Sequence, residues 1–200
     1  MDNKVEDADW WAKRPVNDVR FDWNIPSENW IDGYRKSINH PHRNLIIKEL
    51  SNFGKIESFL EVGCNCGPNL YCVKVNHPCA KIAGIDPSEL AIEEGRKFLP
   101  DVLLRTGTIQ KLPYHDNEFD IVLTDAVLMY VSPKEIESAM DELNRVAKKG
   151  IVLVEWYDRS LLGKIKYYHW ARDYKKLLEK RGLKVEKIKI SKGLWPTNSG

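Results

Sequence analysis

The chain has 200 residues, of which 42% are hydrophobic and 30% are charged, and its formal net charge is +2. This composition is typical of one globular domain with a sizeable buried core, and it argues against an extended disordered chain. The weak net charge argues against nucleic acid as a partner. No apolar run approaches the ~20 residues that span a bilayer, and the acidic N-terminus lacks the apolar segment of a signal peptide, so we expect a cytoplasmic protein with no membrane partner.

The positive charge is concentrated near the C-terminus. Residues 163–193 contain eleven basic and three acidic side chains. A solvated surface is the favoured interpretation of this segment, with an anion-binding face as the alternative.

Four cysteines, Cys64, Cys66, Cys72 and Cys79, fall within one short stretch. The stretch has no CxxC pair and no histidine at a spacing typical of zinc sites, so we predict no metal site. Reduced thiols at tight turns and on a packed helix are expected instead of disulfides.

The predicted elements divide the chain into an N-terminal segment, residues 1–54, and a core, residues 55–200, of one domain. The N-terminal segment is rich in aromatic residues and ends in a predicted helix over 41–53, and we expect it to cover the substrate. In the core, apolar runs of strand length are predicted over 58–62, 81–86, 102–106, 119–124, 150–155 and 185–190. Helical spacing alternates with them over 69–76, 88–99, 133–147 and 167–181, with Ser88 and Ser132 as N-caps. This alternation predicts an α/β fold with a doubly wound, mostly parallel sheet and helices on both faces.

The most informative stretch is FLEVGCNCGPNL, residues 59–70. A strand ends in Glu61, and Gly63, Asn65 and Gly67 then alternate through a turn before a helix. Glycine permits a sharp turn and close approach of a ligand, and the helix start offers free amide groups to a phosphate or a carboxylate. A dinucleotide fingerprint, G-x-G-x-x-G, requires glycine where Asn65 stands, so the spacing favours S-adenosylmethionine over a dinucleotide.

A second carboxylate follows the next predicted strand, at Asp86, some twenty residues beyond the glycine turn. An acid in this place can accept hydrogen bonds from ribose hydroxyls. The alternative is an ordinary Asp-Pro-Ser turn that caps the next helix. A third stretch, TGTIQKLPYHDNEFDIVLTDAVLMYV, places a turn before Leu112-Pro113 and then a strand.

Together these three stretches resemble the class I S-adenosylmethionine-dependent methyltransferases, particularly the group with G-D-A-x-x-L-P-F, then F-D-x-V, then V-L-x-x-V. The resemblance runs from about Phe59 to Val131 and implies a Rossmann-like fold with an N-terminal helical lid. It implies cofactor contacts around the methionine part and ribose, at the adenine, and near the sulfonium. The implied residues around the methionine part and ribose are Glu61, Gly63, Asn65, Gly67 and Asp86. Those at the adenine are Pro87, Ser88, Thr108 and Ile109, and those near the sulfonium are Asp125 and Ala126.

The chain departs from the group's pattern at three places. Asn65 replaces the middle glycine, which requires a backbone conformation that asparagine tolerates better than most residues. Thr108 stands where the group usually has aspartate, so we expect a hydroxyl or backbone groups to contact adenine there. The C-terminal GLWPTNSG is a weak final strand, so the sheet is expected to be short at that edge.

The resemblance implies in-line transfer of a methyl group to an acceptor, a reaction in which positioning supplies much of the catalysis. The sequence identifies neither a catalytic residue nor an oligomeric state. Candidate substrate contacts lie outside the shared stretches, at Trp30, Tyr34, Trp156, Tyr157 and His169. Packing is the alternative role for these aromatic residues, and for His169 it is the favoured one. His40, His42 and Arg43 are further candidates to meet a polar group.

A small-molecule acceptor is favoured because the added segments are too short for a domain that recognises nucleic acid or protein. An anionic or nucleotide-linked metabolite, attracted by the basic C-terminal segment, is the second choice. Two other classes stay open: a noncatalytic methyltransferase-like module that binds cofactor or a protein partner, and, less favoured, a dinucleotide-dependent oxidoreductase.

Overall fold

Apolar segments from residue 58 onward form a five-stranded sheet in the structure, a computed structural model that describes residues 7–18, 25–166, 169–190 and 194. The strands are β1 (Ser58–Val62), β2 (Lys81–Asp86), β3 (Leu103–Thr106), β4 (Phe119–Asp125) and β5 (Ala147–Val154). Their order is β3-β2-β1-β4-β5, and every neighbouring pair is parallel. The predicted doubly wound sheet is therefore confirmed.

Helices precede the sheet and connect its strands. They are α1 (Ala8–Ala12), α2 (Trp30–Lys36), α3 (Pro41–Leu50), α4 (Pro68–Asn76), α5 (Glu89–Phe98), α6 (Ile136–Val146) and α7 (Tyr174–Glu179). Short 3₁₀ helices lie at Ser37–Asn39, Ser51–Phe53, Leu128–Tyr130 and Arg159–Leu161. The predicted cap at Ser88 is confirmed, since its hydroxyl oxygen accepts a hydrogen bond from the Ala91 amide at 3.2 Å.

Each face of the sheet is covered by its own group of helices. On one face Leu60 and Val122 pack with Leu143 of α6 and Leu178 of α7. On the other face the sheet packs against helices α3, α4 and α5, through a cluster that includes Phe59, Ile121, Ile46, Leu70 and Ile92. Alternate residues of each strand therefore enter different cores, as in a sheet that is buried on both sides.

The strand order determines where a ligand can enter. The chain builds outward from β1 through β2 to β3 and then crosses back to place β4 on the other side of β1. At such a switch point the connections diverge, and a crevice opens outside the carboxyl ends of the two strands. The ends of β1 and β4 therefore mark the expected site.

Several predicted boundaries were wrong. β3 begins at Leu103, one residue late. α6 begins at Ile136, and among the described residues the Ser132 hydroxyl caps no backbone amide but donates to the Glu135 carboxylate at 2.6 Å. No strand forms over the described residues 185–190.

The predicted helix over 167–181 is largely replaced. Ile165–Lys166 (β6) pairs antiparallel with His169–Trp170 (β7), and α7 starts only at Tyr174, where Asp173 caps the Lys176 amide (3.2 Å). Tyr167 and Tyr168 lie outside the described residues, as does most of GLWPTNSG. Within the described part of the chain, no helix has the length and apolar character that crossing a bilayer requires.

Candidate functional site

The glycine turn after β1 has a left-handed backbone at three alternating positions. Gly63, Asn65 and Gly67 have φ of 77°, 50° and 90°. Asn65 thus adopts the left-handed backbone conformation that asparagine was predicted to tolerate. Its side-chain oxygen accepts a hydrogen bond from the Cys66 amide at 2.7 Å. A Cβ on Gly63 would lie 2.2 Å from Val127 Cγ2, so the turn and the residues after β4 are in close contact.

Asp86 ends β2 and fastens this turn to the next one. Its Oδ2 accepts from the Asn65 amide (2.8 Å) and its Oδ1 from the Ser88 amide (2.9 Å). Burial raises the pKa of Asp86 to about 6, against the opposing effect of these two donors. Each carboxylate oxygen keeps a lone pair for a further donor.

A cavity, here called the edge cavity, opens at the carboxyl ends of the strands. It is lined by all of the predicted cofactor residues except Gly67 and Ser88, namely by Glu61, Gly63, Asn65, Asp86, Pro87, Thr108, Ile109, Asp125 and Ala126. Gly67 and Ser88 instead stand at the N-caps of α4 and α5. Residues distant in sequence are therefore gathered around one space.

Two buried carboxylates meet beside this cavity. The Asn69 side-chain amide donates to Glu61 Oε1 (2.7 Å) and to Asp125 Oδ2 (2.9 Å). Arg43 donates to the Asn69 oxygen, and its guanidinium lies 3.8 Å from Asp125 Oδ2. His42 Nε2 is 3.0 Å from the same oxygen. Helix α3 thus supplies two basic side chains to the ends of β1 and β4.

The second oxygen of each of these two carboxylates takes no part in the contacts just described. Among the described residues, neither Glu61 Oε2 nor Asp125 Oδ1 has a hydrogen-bond partner, although both atoms are buried. Burial raises the pKa of Glu61 well above its usual range, despite the Asn69 donor. The pKa of Asp125 is lowered, because His42, Arg43 and Asn69 outweigh its burial. A buried acceptor without a donor is costly, so these two oxygens indicate a ligand with N–H groups.

Comparison with known proteins assigns the family. Residues 60–154 match the family model described as a methyltransferase domain. These residues form a methyltransferase domain of the class I S-adenosylmethionine-dependent family. An uncharacterised methyltransferase of Schizosaccharomyces pombe is 31% identical over 107 residues, which cover 48% of this chain and 38% of that protein. A demethylmenaquinone methyltransferase of Staphylococcus aureus is 33% identical over 99 residues, covering 48% and 40%. The chain spans about two fifths of the length of these relatives.

Solved structures share the methyltransferase fold. An amino pentose methyltransferase from Micromonospora echinaspora, solved with S-adenosylmethionine bound, is 19% identical with a TM-score of 0.55, covering 62% of this chain and 54% of that one. A Bacillus subtilis protein is 24% identical with a TM-score of 0.52, covering 60% and 52%.

The N-terminal segment of the chain contributes directly to the edge cavity. Asp7, Ala8, Trp11, Tyr34 and Arg43 all line it. Tyr34 was a predicted substrate contact, and burial raises its pKa to about 12. Sequence reasoning missed Trp11, whose lining role follows from the docking of α1, which no local pattern reports.

Trp30, the other predicted contact in this segment, lies away from the edge cavity. Its side chain is 1% exposed, and its Nε1 donates to the Pro15 carbonyl (3.0 Å). The guanidinium of Arg14 stacks on its ring at 5.0 Å. Trp30 also clusters with Cys66 and Ala91 of the core, so it packs the N-terminal segment onto the core, which is the alternative role that the sequence allowed.

The three predicted contacts after β5 also lie outside the cavity lining. His169 stands on β7 behind Tyr130, with its Nε2 3.2 Å from the Tyr130 hydroxyl, and burial lowers its pKa to about 4. Trp156 packs edge-on against His169 at 5.9 Å. Tyr157 is exposed, with Lys187 over its ring. His169, packed against Trp156, thus supports Tyr130, which does line the cavity.

Proposed function

We propose that this chain binds S-adenosylmethionine in the edge cavity and transfers its methyl group in line to a small-molecule acceptor. The observation that carries the proposal is a pair of buried carboxylate oxygens, on Glu61 and Asp125, that have no donor within the described part of the chain and lie beside the guanidinium of Arg43. An amino-acid group has an ammonium for the carboxylates and a carboxylate for the guanidinium. The residues present therefore fit the methionine end of the cofactor.

The remaining cofactor contacts follow from the shape of the turns. Asp86 would accept hydrogen bonds from the ribose hydroxyls. Gly63 would allow close approach, because it presents no Cβ to the ligand. Pro87, Thr108 and Ile109 would surround the adenine. Gly67 and Ser88 act indirectly, since they shape the starts of α4 and α5.

When bound, S-adenosylmethionine supplies a sulfonium methyl group that a nucleophile can take directly. What this chain must add is position and shelter from water. Trp11 and Tyr34 line the edge cavity from the N-terminal side, and Tyr130 lines it from the residues after β4. Residues 1–54 would in this way cover the substrate, and orientation alone provides a large share of such catalysis.

The charge of the cavity wall bears on the acceptor. Among the described lining residues, Asp7, Glu61, Asp86, Asp125 and Glu135 are acidic and Arg43 is the basic one. Such a wall repels anions, so it favours a neutral or amine acceptor over the anionic metabolite that the basic C-terminal segment suggested. We place the reaction in the cytoplasm, because all four cysteines are free thiols, which fits a reducing compartment.

Calorimetric titration with S-adenosylmethionine, S-adenosylhomocysteine and NAD tests the cofactor assignment. We expect the first two ligands to bind and NAD not to bind. In Asp86→Ala the affinity for both should fall by about tenfold or more, because a charge-assisted hydrogen bond contributes roughly 1.5–3 kcal/mol. Asp101→Ala, at an exposed aspartate away from the cavity, is the matched control.

Other outcomes have distinct meanings. Binding of NAD alone would overturn the cofactor assignment. Tight cofactor binding with no methyl transfer across a broad screen of amines, alcohols and thiols would favour the noncatalytic module instead of an enzyme.

A further inference from the structure

Two histidines and an aspartate form a row of contacts behind the wall of the edge cavity. His42 Nε2 lies 3.0 Å from Asp125 Oδ2, and His42 Nδ1 lies 2.5 Å from His40 Nδ1. The His42 side chain is fully buried, whereas His40 is partly exposed. Asp125 lines the edge cavity. The row of contacts therefore runs from the cavity wall through His42 toward solvent.

The hydrogen-bond partners determine which ring nitrogens of His42 carry hydrogen. The Nδ1 atom of His40 accepts a hydrogen bond from the His42 backbone amide at 3.4 Å, so this nitrogen carries no hydrogen. The facing Nδ1 of His42 must therefore be the donor between the two rings. Although burial opposes it, hydrogen bonds and positive charge lower the pKa of Asp125, so its carboxylate is ionised and accepts from His42 Nε2. Since both ring nitrogens donate, His42 is an imidazolium in the ligand-free fold.

This imidazolium belongs to a charged cluster of His42, Arg43 and Asp125. The guanidinium of Arg43 lies 3.8 Å from Asp125 Oδ2. Burial and the charge of His42 lower the pKa of His40 to about 4, so His40 stays neutral near pH 7. The described titratable groups around the cluster on neighbouring elements are Tyr34 of α2, Glu61 of β1, Cys72 of α4, Asp86 of β2 and Glu155 after β5.

A cofactor bound as proposed would bring another positive charge to the charged cluster. A short carbon chain joins the ammonium and the sulfonium of the methionine part, so both would lie at the end of the cavity where Asp125 stands. S-adenosylhomocysteine has the same ammonium but a neutral thioether. A nearby like charge disfavours the charged form of a titratable group. Arginine keeps its proton and a sulfonium has none to lose, so the repulsion acts on His42.

We propose that His42 releases its proton when S-adenosylmethionine binds and keeps it when S-adenosylhomocysteine binds. This inference rests on the proposed function, since it takes the sulfonium as the added charge. The proton would pass to solvent through the ring of His40, and His42 would become a neutral imidazole that still donates to Asp125. The charged cofactor and its neutral product would then bind with different pH dependence. His42 would thus distinguish the two ligands without touching either.

Calorimetry with both ligands at pH 7 counts the released protons. Each titration is run in phosphate and in Tris, whose heats of ionisation differ, so the difference between the two binding heats gives the number of protons. The proteins are the unaltered chain, His42→Gln, His40→Gln and His115→Gln. Glutamine at position 42 can donate to Asp125 but does not titrate, and His115 is an exposed histidine outside the cavity lining.

We expect S-adenosylmethionine to release up to about one proton more than S-adenosylhomocysteine. Its affinity relative to that of S-adenosylhomocysteine should accordingly rise by about tenfold from pH 6 to pH 8. The difference in protons should vanish in His42→Gln and persist in His40→Gln and His115→Gln. Protons displaced by the ammonium or the ribose cancel in this comparison, because both ligands carry these groups.

A second measurement needs no variant at position 42. The ring nitrogen resonances of His42 in the unaltered chain should show an imidazolium in the ligand-free protein and with S-adenosylhomocysteine, and a neutral ring with S-adenosylmethionine. This measurement decides the question if His42→Gln does not fold.

Each contrary result points to a different failure. Equal proton release by the two ligands in the unaltered chain overturns the inference and leaves the cofactor assignment intact. A difference that survives in His42→Gln also overturns it, and assigns the proton to another group near the charged cluster. If neither ligand binds the unaltered chain, the proposed function fails and the inference fails with it.

Discussion

At the scale of single residues, the position of Gly63 requires both a left-handed backbone and the absence of a side chain, and only glycine meets both requirements. Its φ is 77°, and the place of a Cβ is filled by Val127. We predict that Gly63→Ala lowers the free energy of unfolding by about 3 kcal/mol, because left-handed strain and overpacking add. Urea unfolding of the unaltered chain and the variant measures this change.

Gly54 provides a control in which only one of these demands applies. Its φ is 68°, and a Cβ there would meet no atom within 4 Å. Gly54→Ala should therefore lose only about 1 kcal/mol, from backbone strain. Equal losses in the two variants would contradict the proposed contact between the glycine turn and Val127.

Most residues of the cavity lining that belong to the core were predictable because their positions depend on nearby sequence. The glycine turn, the acid after β2 and the turn after β3 each follow a strand whose apolar pattern is visible. Gln110, which also lines the edge cavity, was missed because its amide is held by Glu135, twenty-five positions later in the chain. Trp11 was missed for the same reason, since only docking brings it to the cavity.

At the scale of elements, the short 3₁₀ helix Leu128–Tyr130 is held at both ends by buried charges. Glu155 accepts from the amides of residues 127 to 129 and from the Thr124 hydroxyl, at 2.8 to 3.3 Å. Arg172 donates to the carbonyls of Leu128 and Val131. This clamp positions Tyr130, which lines the edge cavity.

Glu155 gives the clamp a pH dependence. Burial raises its pKa from 4.5 to about 7, against the effect of its donors. Between these values the folded state holds a proton that the unfolded state releases, so its contribution to stability is complete below about 4.5 and is lost as pH rises toward 7. We predict that the unaltered chain loses up to about 1.4 kcal/mol per pH unit relative to Glu155→Gln in this window.

Urea unfolding at pH 5, 6, 7 and 8 measures this difference. The exposed substitution Glu93→Gln should show the pH dependence of the unaltered chain. A difference between the unaltered chain and Glu155→Gln that stays constant from pH 5 to 7 would mean that Glu155 keeps one protonation state throughout.

The five strands of the sheet were predicted because burial on both faces gives apolar runs, whereas the strand predicted over 185–190 does not form. The predicted helix over 167–181 was wrong in its first half for an equally physical reason. Aromatic residues at helical spacing also suit a short antiparallel pair, and Gly163, with φ of 76°, turns the chain before β6. The cap at Asp173 was the local signal that marked the true start of α7.

At the scale of the whole molecule, Arg14 holds parts of the N-terminal segment together, and charged contacts from α2 and α3 join the segment to the core. In α1 and the residues after it, Arg14 stacks on three tryptophans and pairs with Asp18 at 3.1 Å. Arg35 of α2 pairs with Glu94 of α5 at 2.6 Å, and His42 of α3 contacts Asp125. The sequence predicted a covering segment, but it did not show the pairings of Arg35 and His42, because each joins residues far apart in the chain.

This attachment has a kinetic consequence for the cofactor. Trp11 lines the edge cavity and packs edge-on against Tyr130 at 5.3 Å, so it closes the cavity from the N-terminal side. We predict that Trp11→Ala speeds the dissociation of S-adenosylhomocysteine by about tenfold, since truncating a buried aromatic contact typically costs more than about 1 kcal/mol. Stopped-flow displacement measures the rate.

The neighbouring Trp10 is the matched control, because it also stacks on Arg14 but does not line the cavity. Trp10→Ala weakens the attachment of α1 without removing the wall, so its dissociation rate should change by less than about threefold. If both variants release the ligand equally fast, the attachment of the segment controls release and the Trp11 ring does not. If neither changes the rate, the ligand leaves by a path that α1 does not close.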